Sequence, residues 1–255
     1  MLHVYRFLYE PNDNDAAFRK HLWSFYKLIM NPLIPSALDK GQRALSEYAA
    51  KKLLATYDIP VTREILAQNK DEAVSAAEAI GYPLVVKACS PDLMHKSESG
   101  AVILGIGNVD GLTRAYDRVL AAVNAPLEGV LIQEMVKGQR ELVVGLNRDP
   151  QFGPCVMLGL GGILTEALKD VVFRVAPFDH GEALDMMNEL RSRAILDTFR
   201  GQAAVDRSVL GQTLQAVGRM ALDHEAIAEI DINPMIIDAE GHIKAVDALI
   251  VLNHC

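Results

Sequence analysis

Lys87 ends a short apolar, β-branched run that opens the stretch Leu84 to Ile106, LVVKACSPDLMHKSESGAVILGI. The polar loop after it carries His95, Lys96, Ser97, Glu98, Ser99 and Gly100, and a second apolar run follows from Ala101 to Ile106. An ammonium leaving a buried strand needs an anionic partner, because burying an isolated charge is costly. A Ser/Gly loop between two strands can turn its backbone N–H groups towards phosphate oxygens. These residues describe a nucleotide-phosphate clamp with a histidine at its tip. The plainer reading of the same residues is a solvated lysine beside an ordinary turn.

A second constellation closes the chain: Glu229-Ile230-Asp231-Ile232-Asn233-Pro234 on one strand and Asp247 on the next. Alternate residues of a strand share a face, so Glu229, Asp231 and Asn233 point one way and the isoleucines the other. Oxygen donors from Asp and Asn, with positions left for water and phosphate, suit Mg²⁺. An exposed acidic face is the alternative, but Asp247 stands in an apolar run (AVDALIVL), where a carboxylate is expected to be paired or metal-bound. A third group, Gln133-Glu134-Met135-Val136 followed by Glu141, reads as a strand end whose free backbone groups can meet an adenine edge. Glu141 can accept hydrogen bonds from ribose hydroxyls, although taken alone this group reads as a plain loop with a solvated Glu. A fourth, Gly159-Leu160-Gly161-Gly162 leading to Glu166, Lys169, Asp170 and Arg174, matches neither the dinucleotide fingerprint nor a Walker loop. Its glycines allow a phosphorylated group or a partner loop to approach the backbone closely.

The elements that must position these residues alternate between helix and strand. Asp15 to Met30 has a helical period, with Pro32 and Pro35 breaking it. Ser46 to Tyr57 reads as an amphipathic helix with Leu45, Ala49, Leu53 and Leu54 apolar. Val61 to Leu66 is a strand, and Asp71 to Ile80 a helix capped by Asp71 and ended by Gly81 and Pro83. Further helices are expected at 109–123, 182–190 and 206–222, and strands at 130–135, 141–146, 156–160, 171–176, 227–237 and 243–249, the last two forming a hairpin. The pattern is mixed α and β. A chain of 255 residues with 50% hydrophobic and 23% charged residues is ordinary for a globular protein. Its net charge of −8 argues against a general nucleic-acid binder, and no apolar run approaches the ~18–20 residues that span a bilayer. Cys89, Cys155 and Cys255 have no metal-ligand or redox spacing, so reduced thiols in a cytoplasmic protein are expected.

In this order, Lys87, the Ser/Gly loop, the Gln-Glu hinge, Glu141 and the Asp/Asn hairpin resemble the ATP-grasp fold. The segments IPVTRE, GYPLVVKACSPDLMHKSESGAV, RDPQFGPCVMLGLGGILTEALKDVVFRVAP and EIDINPMII are similar to the nucleotide-binding subunit of ADP-forming acyl-CoA synthetases, relatives of the succinyl-CoA synthetase β subunit. The resemblance covers about residues 44 to 250. It implies an α+β ATP-grasp fold in which two subdomains, 41–135 and 136–255, grip the nucleotide after an N-terminal helical extension, 1–40. The implied reaction is acyl-CoA + ADP + phosphate ⇌ carboxylate + CoA + ATP, with ATP or ADP and Mg²⁺ bound. Carried over, His95 relays phosphate, Lys87 contacts it, and the loop from Ser97 to Gly100 covers it. Gln133, Glu134, Met135 and Val136 form the adenine hinge, Glu141 the ribose contact, and Asn233 and Asp247 the magnesium positions. Asp231 lies beside the incoming phosphohistidine. The family run Asp-x-Gly-Gly-Val is here Glu98-Ser99-Gly100-Ala101-Val102, which bears on how closely the loop covers phosphate. The chain carries no CoA-binding module, so a CoA-binding (alpha-type) subunit or fused module and an oligomeric assembly are implied. A non-catalytic nucleotide-sensing module, such as those fused to protein acetyltransferases, is the alternative. A carboxylate–amine ligase is disfavoured by the HKS and GLGG segments.

Overall fold

The computed structural model describes residues 32–93, 100–162, 170–198 and 200–253, and these described residues hold eleven strands and six α-helices. The strands are β1 (Ala44–Leu45), β2 (Glu64–Ala67), β3 (Leu84–Cys89), β4 (Val102–Ile106), β5 (Gly129–Glu134) and β6 (Arg140–Asp149). They continue with β7 (Gly153–Leu160), β8 (Val171–Val175), β9 (Ile227–Ile237), β10 (Ile243–Ala245) and β11 (Leu249–Leu252). The helices are α1 (Leu33–Asp39), α2 (Glu47–Thr56), α3 (Lys70–Ile80), α4 (Val109–Ala121), α5 (His180–Glu189) and α6 (Arg207–Asp223). All pairings between named strands are antiparallel, so the expected α+β class holds. Among the described residues, no helix is long and apolar enough to cross a membrane.

The smaller sheet runs β2-β5-β3-β4. Leu84, Val86 and Ala88 of β3, with Val130 and Ile132 of β5, pack against Ala73, Ala76, Ala77 and Ile80 of α3 and Leu112, Ala115, Tyr116 and Val119 of α4. Burial of each larger apolar side chain contributes about 1.5–3 kcal/mol, so this face is strongly specified. The same two-residue period sends Val85, Lys87, Leu131 and Gln133 to the opposite face. All six residues of β3 are buried, so that second face is covered as well.

The larger sheet runs β1-β11-β9-β6-β7-β8, with β10 also paired to β9. Helix α6, with Leu210, Leu214, Val217 and Ala221 buried at helical spacing, lies over β6, β7 and β9. Register pairs Val144 with Leu158 and Ile232, and Leu146 with Val156 and Ile230, which assembles one apolar face. Gly145 opposite Asp231 and Asn147 opposite Glu229 belong to the other face.

The structure departs from the sequence reading in several local places. The expected helix over 15–30 lies outside the described residues. Pro35 itself sits in the first turn of a further helix, α1, where its missing N–H leaves no helical bond unmade. Leu45 belongs to β1, which pairs with β11, rather than to the following helix. Asn69, not Asp71, caps α3, because its side chain accepts from the Glu72 N–H at 2.9 Å. Val61 makes only a single bridge, to Ala245, and its strand begins at Glu64. The expected strand 243–249 is interrupted at 246–248, between β10 and β11, and this interruption holds Asp247.

Candidate functional site

Two buried lysines converge on one carbonyl. Lys87, 3% exposed on β3, donates from Nζ to Glu47 Oε1 at 2.6 Å and to the Val246 carbonyl at 3.0 Å. Lys51, 1% exposed on α2, donates to the same carbonyl at 3.2 Å, to Gln133 Oε1 at 2.8 Å and to Thr62 Oγ1 at 3.1 Å. It also pairs with Glu47 at 2.8 Å and with Glu64. Two ammonium groups and two carboxylates thus share one water-poor site, the arrangement in which buried charge is tolerated. Burial opposes the Lys51 charge, yet Glu47 and Glu64 outweigh it and hold the ammonium above its ordinary range. At Glu64 burial dominates and, with Glu47 nearby, overrides the two lysines to push the carboxyl up to about 7. Gln133 is fully buried, and its Nε2 has no partner among the described residues. An amide left so costs about 1–3 kcal/mol, which an acceptor on a bound nucleotide would recover.

Sequence reasoning found Lys87 and Gln133 but missed Glu47, Lys51 and Glu64. Glu47 and Lys51 have the i,i+4 spacing of an ordinary surface pair on a helix. The signal that could have exposed them is that Glu47, Ala50, Lys51 and Leu54 recur at 3–4 spacing, and all four are buried.

The hinge residues divide between backbone and side-chain roles. Glu134 is tied down: its carboxylate accepts from Lys244 Nζ at 2.6 Å and from Arg63 Nε at 2.9 Å. Burial works against that charge, but these bonds hold the Glu134 carboxyl below its ordinary range. The Glu134 N–H donates to Arg63 O at 2.9 Å and the Met135 N–H to Pro83 O at 3.1 Å, so neither amide is free as the sequence reading expected. Val136 is the next residue along. His95 and Ser97 lie outside the described residues. Gly100 re-enters the hairpin with a φ of +72°, and beyond it the Ala101 carbonyl accepts from the Ala88 N–H at 2.9 Å.

On the larger sheet, register brings the acidic residues together. Leu249 pairs with Asp231, and the Val246 N–H donates to the Pro234 carbonyl at 3.0 Å. Continuing that register places Asp247 opposite Asn233. Asn233 is exposed, Asp231 and Asp247 half-buried, and Glu141 shares the face of Asp231 by alternation. Burial raises the Asp231 carboxyl, and the negative charges of Glu229 and Asp247 raise it further. A field of that sign, with amide and carboxylate oxygens in register, fits a hard divalent cation. Among the described residues no three His, Cys, Asp or Glu groups form a metal cluster by themselves, so phosphate and water oxygens would complete the coordination.

In the glycine run, Gly161 packs against the protein's own backbone. A Cβ on Gly161 would lie 2.8 Å from the Leu142 carbonyl carbon and oxygen, and the Gly161 N–H donates to Glu141 O at 2.7 Å. What approaches the glycine is therefore strand β6. Asp170 is also structural: its carboxylate accepts from the Arg191 N–H at 3.0 Å, the Ser192 N–H at 2.7 Å and the Ser192 hydroxyl. Arg174 pairs with Glu189 at the surface, and Glu166 and Lys169 lie outside the described residues.

The family model described as an ATP-grasp domain matches residues 36–252. The chain is 43% identical over 215 residues to acetate–CoA ligase [ADP-forming] I subunit beta of Pyrococcus furiosus, covering 82% of this chain and 92% of that one. It is 41% identical over 225 residues to acetate–CoA ligase [ADP-forming] I of Archaeoglobus fulgidus, but spans only 32% of that longer protein. Among solved structures, Ca. Korarchaeum cryptofilum dinucleotide-forming acetyl-coenzyme A synthetase 1 in complex with coenzyme A and Ca-AMPCP matches with a TM-score of 0.83 and 41% identity. That match covers 87% of this chain and 98% of the other.

Proposed function

Because the chain belongs to the ATP-grasp family, among the β subunits of ADP-forming acetate–CoA ligases, we propose that it is the nucleotide-binding, phosphoryl-transferring component of an ADP-forming acyl-CoA synthetase. The reaction is acyl-CoA + ADP + phosphate ⇌ carboxylate + CoA + ATP, completed with a CoA-binding subunit or module. Residues 41–135 and 136–255 act as the two halves that hold the nucleotide. One observation carries this reading: the Lys87 ammonium bonds the carbonyl of Val246, the residue next to Asp247. A lysine suited to phosphate, carried by the smaller sheet, thus reaches the backbone of the residue beside a carboxylate suited to a divalent cation.

In this reading Lys87 turns an N–H towards the β- and γ-phosphates, and the Gln133 side-chain amide and the hinge backbone beyond the Met135 N–H receive the base. Glu141 accepts from the ribose hydroxyls. Asn233 and Asp247 would hold Mg²⁺, which when bound neutralises charge on the transferring phosphoryl group. His95 presents a neutral imidazole as nucleophile to phosphorus. Asp231 orients a phosphohistidine arriving from the CoA-binding partner.

The test is transfer of label from [γ-³²P]ATP with Mg²⁺, in the presence and absence of a CoA-binding subunit of the ADP-forming ligase type. Acid-labile label on the wild-type chain, lost in His95→Ala with nucleotide binding intact, is the expected result. Intact nucleotide binding with no label, even with the partner supplied, would leave a nucleotide-sensing module in place of the relay.

A further inference from the structure

Glu47 has no part in the reading above, yet it holds the residue on which that reading turns. Its Oε1 lies 2.6 Å from Lys87 Nζ and 2.8 Å from Lys51 Nζ, and its side chain is wholly buried. An ammonium has three N–H donors. Glu47 and the Val246 carbonyl account for two of those of Lys87. A phosphate reaching Lys87 must either displace Glu47 or take the remaining donor with a buried carboxylate close by. In both cases the Glu47 charge opposes the phosphate charge, and a water-poor surrounding screens that opposition weakly. Lys51 is fixed from the other side by Glu64, Gln133 Oε1 and Thr62, so it remains beside Glu47 whatever Lys87 does.

We propose that Glu47 is a built-in competitor for the Lys87 ammonium, which lowers nucleotide affinity and speeds release, and that Lys51 is the counter-charge allowing Glu47 to let Lys87 go. Glu47 and Lys51 are positioning residues here, since they act on the nucleotide through Lys87. The proposal rests on Lys87 as the phosphate contact.

The experiment is calorimetric titration of the full chain with Mg·ADP, alongside thermal melting of each variant without nucleotide. Glu47→Gln keeps the shape and removes the charge. It is expected to lower the melting temperature, because two lysines then share fewer carboxylates, while tightening Mg·ADP binding by about tenfold. Loss of stability with gain of affinity is a split that a purely structural role does not produce. Lys51→Met should act in the opposite sense on binding, weakening it by about tenfold, because Glu47 then grips Lys87 alone. In the double variant the two effects should cancel at least in part. Should Glu47→Gln not fold, Glu47→Asp draws the carboxylate back from Lys87 and should still tighten binding, by less. Unchanged or weakened binding in a folded Glu47 variant overturns the proposal. Unchanged binding in Lys87→Ala overturns the phosphate-contact reading itself, and so separates the two failures.

Discussion

Glu64 illustrates how a buried network of charges becomes a pH-dependent property. Its carboxyl titrates at about 7 in the fold, against an ordinary value of 4.5, because burial outweighs Lys51 and Lys87. Between those two pH values the folded state binds more protons than the unfolded chain, so stability falls as pH rises. The contribution is fully present below about 4.5 and is lost as pH passes through about 7. Urea unfolding from pH 4.5 to 8 should show Glu64→Gln gaining on wild type by about 2–3 kcal/mol across this window. A difference between the two proteins that does not change with pH would count against the assignment. At this scale the sequence was legible where a polar residue interrupts an apolar run, as at Lys87, Gln133 and Asp247. It was not legible at Glu47 and Lys51, because a helix offers a solvated face on which such a pair is unremarkable. Only tertiary packing turned that face inwards.

The elements were easier to read than the contacts between them. Short apolar runs located β3, β5 and β6, alternation marked the faces of β9, and Ser46 and Gly81 marked helix ends where side chain or backbone geometry bears them out. What could not be read was partnership across distance: β1 joining β11, or Asp170 closing the turn at Arg191 and Ser192. The GLGG run shows why. Glycines permit close approach, but the sequence does not say what approaches, and at Gly161 strand β6 does so. Gly161→Ala should therefore act on stability, because its Cβ would meet Leu142 backbone atoms at 2.8 Å. Overpacking of this kind costs about 1–3 kcal/mol. Denaturant unfolding should register that loss while the Mg·ADP dissociation constant of the folded fraction stays near wild type. By contrast Gly153, with open space around its absent Cβ but a φ of +78°, should lose less when changed to Asn, which tolerates that backbone region.

Across the whole molecule, the two sheets are tied by polar contacts concentrated on residues 244–246. Lys244 reaches Glu134 at 2.6 Å, the Ala245 N–H donates to Pro60 O at 2.8 Å, and Lys51 and Lys87 both hold Val246 O. A nucleotide that engages Lys87 from the smaller sheet and, through a cation, Asp247 from the larger one adds a further tie across the same seam. Binding to the folded state alone stabilises by about 2.7 kcal/mol when ligand is a hundredfold above its dissociation constant. For a chain of this size that corresponds to a rise in melting temperature of about 5–10 °C. Scanning with Mg·ADP, and then with ADP and EDTA, separates the two ends of the tie. In wild type, EDTA should remove most of the rise. In Asp247→Ala the rise with Mg·ADP should already be that small, and EDTA should remove nothing more, because the cation has lost its protein carboxylate. In Lys87→Ala the rise should shrink in both conditions, since the phosphate contact is lost whether or not the cation is present. An Asp247→Ala protein that still loses its full stabilisation to EDTA would place the cation elsewhere and detach the larger sheet from nucleotide binding.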